Sequence, residues 1–187
     1  MTFEGLAIGP GGTVVFVALE GALAPDGWTN DGRARLRLLR HEERGEASFV
    51  VVAQHYYLTE PGQAVSEVAV LDGGDLLVLE RGFFPGAGNT VRLFRVALSG
   101  AADVTGRARL DAPDLAPLRK QLLVDLAACP PGGARHPAAQ PTPLLDNYEA
   151  MALGPVLPDG RRSLLLVSDD NFGSDQVTRV LALAMRP

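Results

Sequence analysis

The chain has 187 residues, 47% of them hydrophobic, which is enough for one domain with a real core and excludes a disordered polypeptide. Its net charge of −5 disfavours a nucleic-acid partner, because phosphate binding needs a basic face. No apolar run reaches the ~18 residues of a membrane span, and the 21 glycines and 14 prolines favour short strands joined by many turns.

Residues 3 to 20 predict a strand, a Gly11-Gly12 turn and a second strand rich in Val and Phe. Arg35 to Arg40 alternates, as a strand with one wet face does, and Ser48 to Ala53 closes a group of four. The plan recurs from Ser66. Asp72-Gly73-Gly74-Asp75 is a hairpin signal between two apolar runs, and Val91 to Val96 alternates again. Lys120 to Leu126 reads as the fourth strand, because Pro117 and a β-branched centre argue against a helix there. Five prolines between 129 and 143 mark an irregular connection. A third copy runs from Asn147 through a Pro158-Asp159-Gly160 turn to Met185, with three strands instead of four.

Serial four-stranded units with hairpin turns predict an all-β fold, a β-propeller fragment of about three antiparallel blades with the last blade incomplete. The blades span about 3–53, 66–126 and 148–185 within one partial domain. Three blades do not make a ring of the usual four to eight. The chain is therefore expected to be part of a larger propeller and to self-associate through exposed blade edges.

Acids recur at the strand ends. Glu4, Glu67 and Glu149 lead the three copies, 63 residues (4 to 67) and 82 residues (67 to 149) apart. Glu20, Glu80 and Asp169 trail the second strands. If the leading acids line one mouth, a hard cation such as Ca²⁺ would relieve their repulsion. The other reading is structural, with each carboxylate accepting backbone N–H bonds from a neighbouring blade. Arg81 is the base beside the trailing acids, either a clamp for phosphate oxygens or a partner for a nearby carboxylate. Asp169-Asp170-Asn171 offers clustered oxygen ligands but lacks the spacing of an EF-hand. No Gly-x-Ser-x-Gly elbow is present, and Cys129 is the only cysteine. His41, His55 and His136 sit in no recognisable motif.

Asn147 to Pro155, Leu157 to Arg162 and Leu164 to Phe172, together with Leu77 to Phe83 and Gly88 to Leu93, resemble the phytase-like family known as "esterase-like activity of phytase". The resemblance runs over nearly the whole chain and covers the C-terminal half of longer, usually exported members. No signal peptide opens this sequence. The resemblance implies a β-propeller and hydrolysis of a phosphoester or ester; joined to the recurring acids, it leads to the expectation of a small-molecule phosphoester substrate and metal help. On that basis Glu67, Glu149 and Arg81 are the candidate catalytic residues. Glu4, Glu80, Asp169 and Asp170 are the candidate Ca²⁺ ligands. The alternative is a non-catalytic propeller that binds a ligand or protein across its face.

Overall fold

The computed structural model describes residues 2–45 and 48–186. Among these described residues, eleven antiparallel strands form three sheets. Sheet I orders β1 (Phe3–Ile8), β2 (Val14–Leu19), β3 (Arg35–Glu43) and β4 (Phe49–Leu58). Sheet II orders β5 (Ala64–Val70), β6 (Leu76–Phe84), β7 (Gly88–Val96) and β8 (Lys120–Asp125). Sheet III has β9 (Tyr148–Val156), β10 (Arg162–Ser168) and β11 (Arg179–Met185). The described helical structure is one 3₁₀ turn, Leu126–Ala128, capped by the Asp125 side chain. The first sheet extends beyond its expected end, since β4 runs to Leu58 and β5 begins at Ala64.

The strands form where the sequence alternates, and the turns form where glycine accepts positive φ. Gly74 has φ 86° in the β5–β6 hairpin, which is closed by the Leu71 N–H bonding the Asp75 carbonyl at 2.8 Å. Gly160 plays the same part between β9 and β10.

First strands adjoin across sheets, β1 beside β5 and β5 beside β9. Gly5 permits the first approach, because a Cβ there would lie 2.9 Å from the Val68 nitrogen. Each sheet has a forward face toward the next sheet and a rear face toward the one before. The forward face of sheet I (Ala7, Phe16, Ala18, Leu36, Leu38) packs on the rear face of sheet II (Val68, Leu76, Val78, Phe94, Val96). The forward face of sheet II (Ala69, Leu77, Leu79, Leu93) packs on the rear face of sheet III (Met151, Leu164, Leu166). These two apolar layers form the core, and their burial is the main driving force for the fold.

The pairing register aligns the first two strands of the three sheets residue by residue. Each first strand carries a bulge near its start: Glu4 in β1, Ser66 in β5 and Glu149 in β9 are skipped by the ladder. Gly5, Glu67 and Ala150 follow them, opposite Ala18, Leu79 and Val167. The expected equivalence of Glu67 with Glu4 and Glu149 is therefore off by one residue, and Ser66 holds that place. The trailing acids shift likewise. Leu19, Glu80 and Ser168 are equivalent, opposite Phe3, Val65 and Tyr148. One residue further on, Glu20, Arg81 and Asp169 are equivalent to one another. Because side chains alternate between faces, the slip puts Glu80 on the rear face of sheet II and Arg81 on the forward face.

Candidate functional site

Arg81 sits where the three sheets meet. Register puts it on the forward face of β6, between the end of β2 and the start of β9. Its Nη2 donates to Glu149 Oε1 at 2.9 Å and lies 3.7 Å from Glu20 Oε1. One guanidinium thus draws together carboxylates from sheets I and III. Its Nε is buried and has no hydrogen-bond partner, while the side chain as a whole keeps 24% of its surface in water. The Arg81 pairing is with Glu149 and Glu20, rather than with the adjacent Glu80.

Glu80 lies on the opposite face and is fully buried. Its carboxylate accepts from the Tyr57 hydroxyl, from the Glu60 backbone N–H at 2.8 Å and from Lys120 Nζ at 2.7 Å. Lys120 also bridges to Glu60 at 3.0 Å and stands over the Phe94 ring, 4.2 Å from its centroid. Burial, with the Glu80 carboxylate beside it, pushes the Tyr57 hydroxyl pKa well up. Arg81 is thus not the only base beside the trailing acids. Lys120 is the only lysine in the chain, and that rarity was the one signal that it has a special partner. The partner itself is 40 residues away and comes close only through β8.

Glu67 behaves as a clip between sheets. Its Oε1 accepts from the Leu6 N–H in the neighbouring sheet at 3.2 Å and from the Val68 N–H at 2.9 Å. Burial raises its pKa above the ordinary carboxylate value, more than these two N–H donors lower it, with nearby Glu4 adding to the rise. Glu4 itself is exposed and accepts from the Thr2 hydroxyl at 2.9 Å.

Asp169 and Asp170 lie in the turn after β10, where their carboxylates accept from the Asn171 and Phe172 backbone N–H groups at 2.9 and 3.0 Å. Asn171 and Phe172 adopt positive φ, 47° and 57°. Among the described residues, no group of three or more His, Cys, Asp or Glu side chains is placed to hold a metal ion. The four candidate ligands Glu4, Glu80, Asp169 and Asp170 do not converge. Glu80 is enclosed with Lys120, whereas Asp169 and Asp170 belong to the rim of sheet III.

A buried polar node went unread in the sequence. Asp146 is fully buried and accepts from the Asn147 N–H at 2.8 Å, the Val177 N–H at 2.7 Å and His136 Nε2 at 3.0 Å. It fastens the proline-rich connection and the approach to β11 onto the start of β9. Arg179 reinforces the join by donating to the Pro143 and Arg135 carbonyls.

The family model described as "Phytase-like: Esterase-like activity of phytase" matches residues 1–172. The chain belongs to that family. The match takes in sheets I and II, β9, β10 and the Asp169–Phe172 turn, and stops short of β11. No curated protein and no solved structure matches the phytase-like chain. Among the described residues, no helix is long and apolar enough to cross a membrane.

Proposed function

We propose that the three sheets are consecutive blades of a β-propeller, and that the chain is a hydrolase domain acting on phosphoesters at the junction around Arg81. Family membership supports the reaction class. The observation that carries the location is Arg81 itself, a part-exposed guanidinium at the meeting of three sheets, with an unpartnered Nε. Support for blades comes from adjoining first strands and from faces that repeat residue by residue.

A planar guanidinium matches two phosphoryl oxygens, and a phosphate arriving there takes over donors now turned to Glu149 and Glu20. Glu149, released from Arg81, is then a base next to the bound ester. Glu67, whose proton affinity burial raises, is the carboxyl suited to hold a proton for the leaving group. Calcium is the cation proposed with Glu4, Glu80, Asp169 and Asp170. Among the described residues these side chains do not form one donor set.

The second reading is a non-catalytic propeller that binds a ligand across its face. One observation favours it: Arg81 Nη2 is already engaged by Glu149 at 2.9 Å and lies 3.7 Å from Glu20, so its charge is met within the chain. Phosphate release from a generic phosphomonoester, measured with added calcium and with EDTA, separates the two. The hydrolase reading expects release that falls roughly 10- to 100-fold in Arg81→Gln, the factor for losing a charge-assisted hydrogen bond of about 1.5–3 kcal/mol. Absence of release under both conditions leaves the binding scaffold.

A further inference from the structure

Among the described residues, two faces are left uncovered along their inner strands, and they are the two halves of a contact that the chain makes twice internally; on the outer strand of sheet I, Tyr56 is already covered by Val104 and Leu110 of the chain itself. The rear face of sheet I carries the cross-strand rows Leu6–Val17–Leu39 and Ile8–Val15–His41–Val51. By register, Leu6 and Ile8 correspond to Val68 and Val70 of sheet II and to Met151 and Leu153 of sheet III. Val68 and Met151 are buried against the preceding sheet, and Val70 and Leu153 pack at the edge of the same cores. Leu6 and Ile8 are 59% and 63% exposed. At the other end, the forward face of sheet III presents Ala150, Ala152, Leu165, Val167, Val180 and Ala182. The first four correspond to Glu67, Ala69, Phe16/Leu77 and Ala18/Leu79 in the packed sheets. Here Val180 is 64% exposed and Leu165 38%.

We infer that two copies of this chain pair head to tail, the forward face of sheet III of each covering the rear face of sheet I of the other, so that the contact occurs twice and closes. The occupant is argued from the internal junctions. A forward face packs on a rear face between sheets I and II and again between II and III, and a second copy continues the same interface without a new kind of contact. Such a contact is heterologous, and two of them around a two-fold axis close a ring. Three sheets from each copy give six, within the four to eight of known rings. The inference rests on the propeller reading above and not on the hydrolase chemistry.

The register also predicts where the new junction is weakest. Between sheets II and III, Arg81 meets Glu149. At the intermolecular junction Asp169 takes the place of Arg81 and Glu4 takes the place of Glu149, so two exposed carboxylates face each other. That repulsion limits affinity and offers a test by gain of function.

The test uses the chain as it stands. Sedimentation equilibrium over a concentration series should show a species of twice the chain mass. Leu6→Lys/Ile8→Lys blocks the rear face of sheet I, and Val180→Lys/Ala182→Lys blocks the forward face of sheet III. All four side chains are exposed, so circular dichroism should report an unchanged fold. Each variant alone should be monomeric, and the mixture should recover a dimer through the one junction left open. Asp169→Arg should dimerise roughly tenfold more tightly than the parent, because each closed dimer gains two surface ion pairs. A parent that is monomeric throughout overturns the pairing and leaves the faces to sheets of another chain. Open-ended assemblies overturn the two-copy ring. A blocked variant that still dimerises, or an Asp169→Arg that does not tighten, overturns the head-to-tail register. None of these outcomes depends on phosphate release, so failure of the pairing and failure of the hydrolase reading remain distinct.

Discussion

Arg81 Nη2 lies 2.9 Å from Glu149 Oε1, and this pair spans sheets II and III while Glu20 of sheet I stands 3.7 Å from the same nitrogen. The side chains are a quarter to a third exposed, so water screens the attraction and the pair is worth about 1 kcal/mol at most. In a double-mutant cycle on Arg81→Met and Glu149→Gln, read from urea unfolding, the coupling should be about 0.5–1 kcal/mol and shrink at high salt. A coupling indistinguishable from zero would show that the contact only positions the two side chains.

The Glu80–Lys120 pair should behave differently, because it is buried. Lys120→Met strands a carboxylate in the core and should cost about 3–5 kcal/mol. Leu19 occupies the same register place in sheet I, so an apolar side chain is accommodated there by the fold. Glu80→Leu combined with Lys120→Met should therefore recover most of that loss. Denaturation midpoints of the two single variants and the double variant measure this, and additive losses would contradict the pairing.

Glu67 gives a pH signature of opposite sign to a salt-bridged carboxylate. Its folded pKa is raised above the ordinary 4.5, so the folded state holds the proton more tightly than the unfolded one. The stabilising contribution is complete below 4.5 and is lost as pH rises through the folded value. Glu67→Gln removes that loss and keeps an oxygen for the Leu6 and Val68 N–H groups. The variant should match the parent near pH 4 and melt higher than the parent at pH 7. A lower melting temperature at pH 7 would show that the clip to Leu6 outweighs desolvation.

Asp146 satisfies two backbone N–H groups and His136 without solvent. Asp146→Ala leaves these donors buried and unmet, at about 1–3 kcal/mol for each backbone group. Hydrogen exchange should quicken first at Asn147 and Val177 and then along β11, with sheet I unaffected. Exchange that rises equally in all three sheets would argue for global destabilisation instead.

Much of the architecture was legible in the sequence. Alternation with period two, β-branched runs and glycine turns marked the strands, and the expected grouping into four, four and three strands matches the three sheets. Lys120 to Asp125 was readable as a strand because Pro117 and Val124 disfavour a helix. These are local properties, set by backbone sterics and side-chain period. The exact alignment of the copies was not local. A bulge adds one residue to a strand without a mark of its own in the sequence, so matching acid to acid set Glu67 beside Glu149, while the sheet sets Ser66 there. One residue of slip turns a side chain to the opposite face, and it alone separates Glu80, sealed with Lys120, from Arg81, which joins three sheets. Partners from distant segments, such as Lys120 for Glu80 and His136 for Asp146, meet only because the sheets pack. Strand positions follow from local side-chain period and turn residues; which carboxylates are buried and paired and which face water follows from packing, because charge pairing depends on distances that only packing creates.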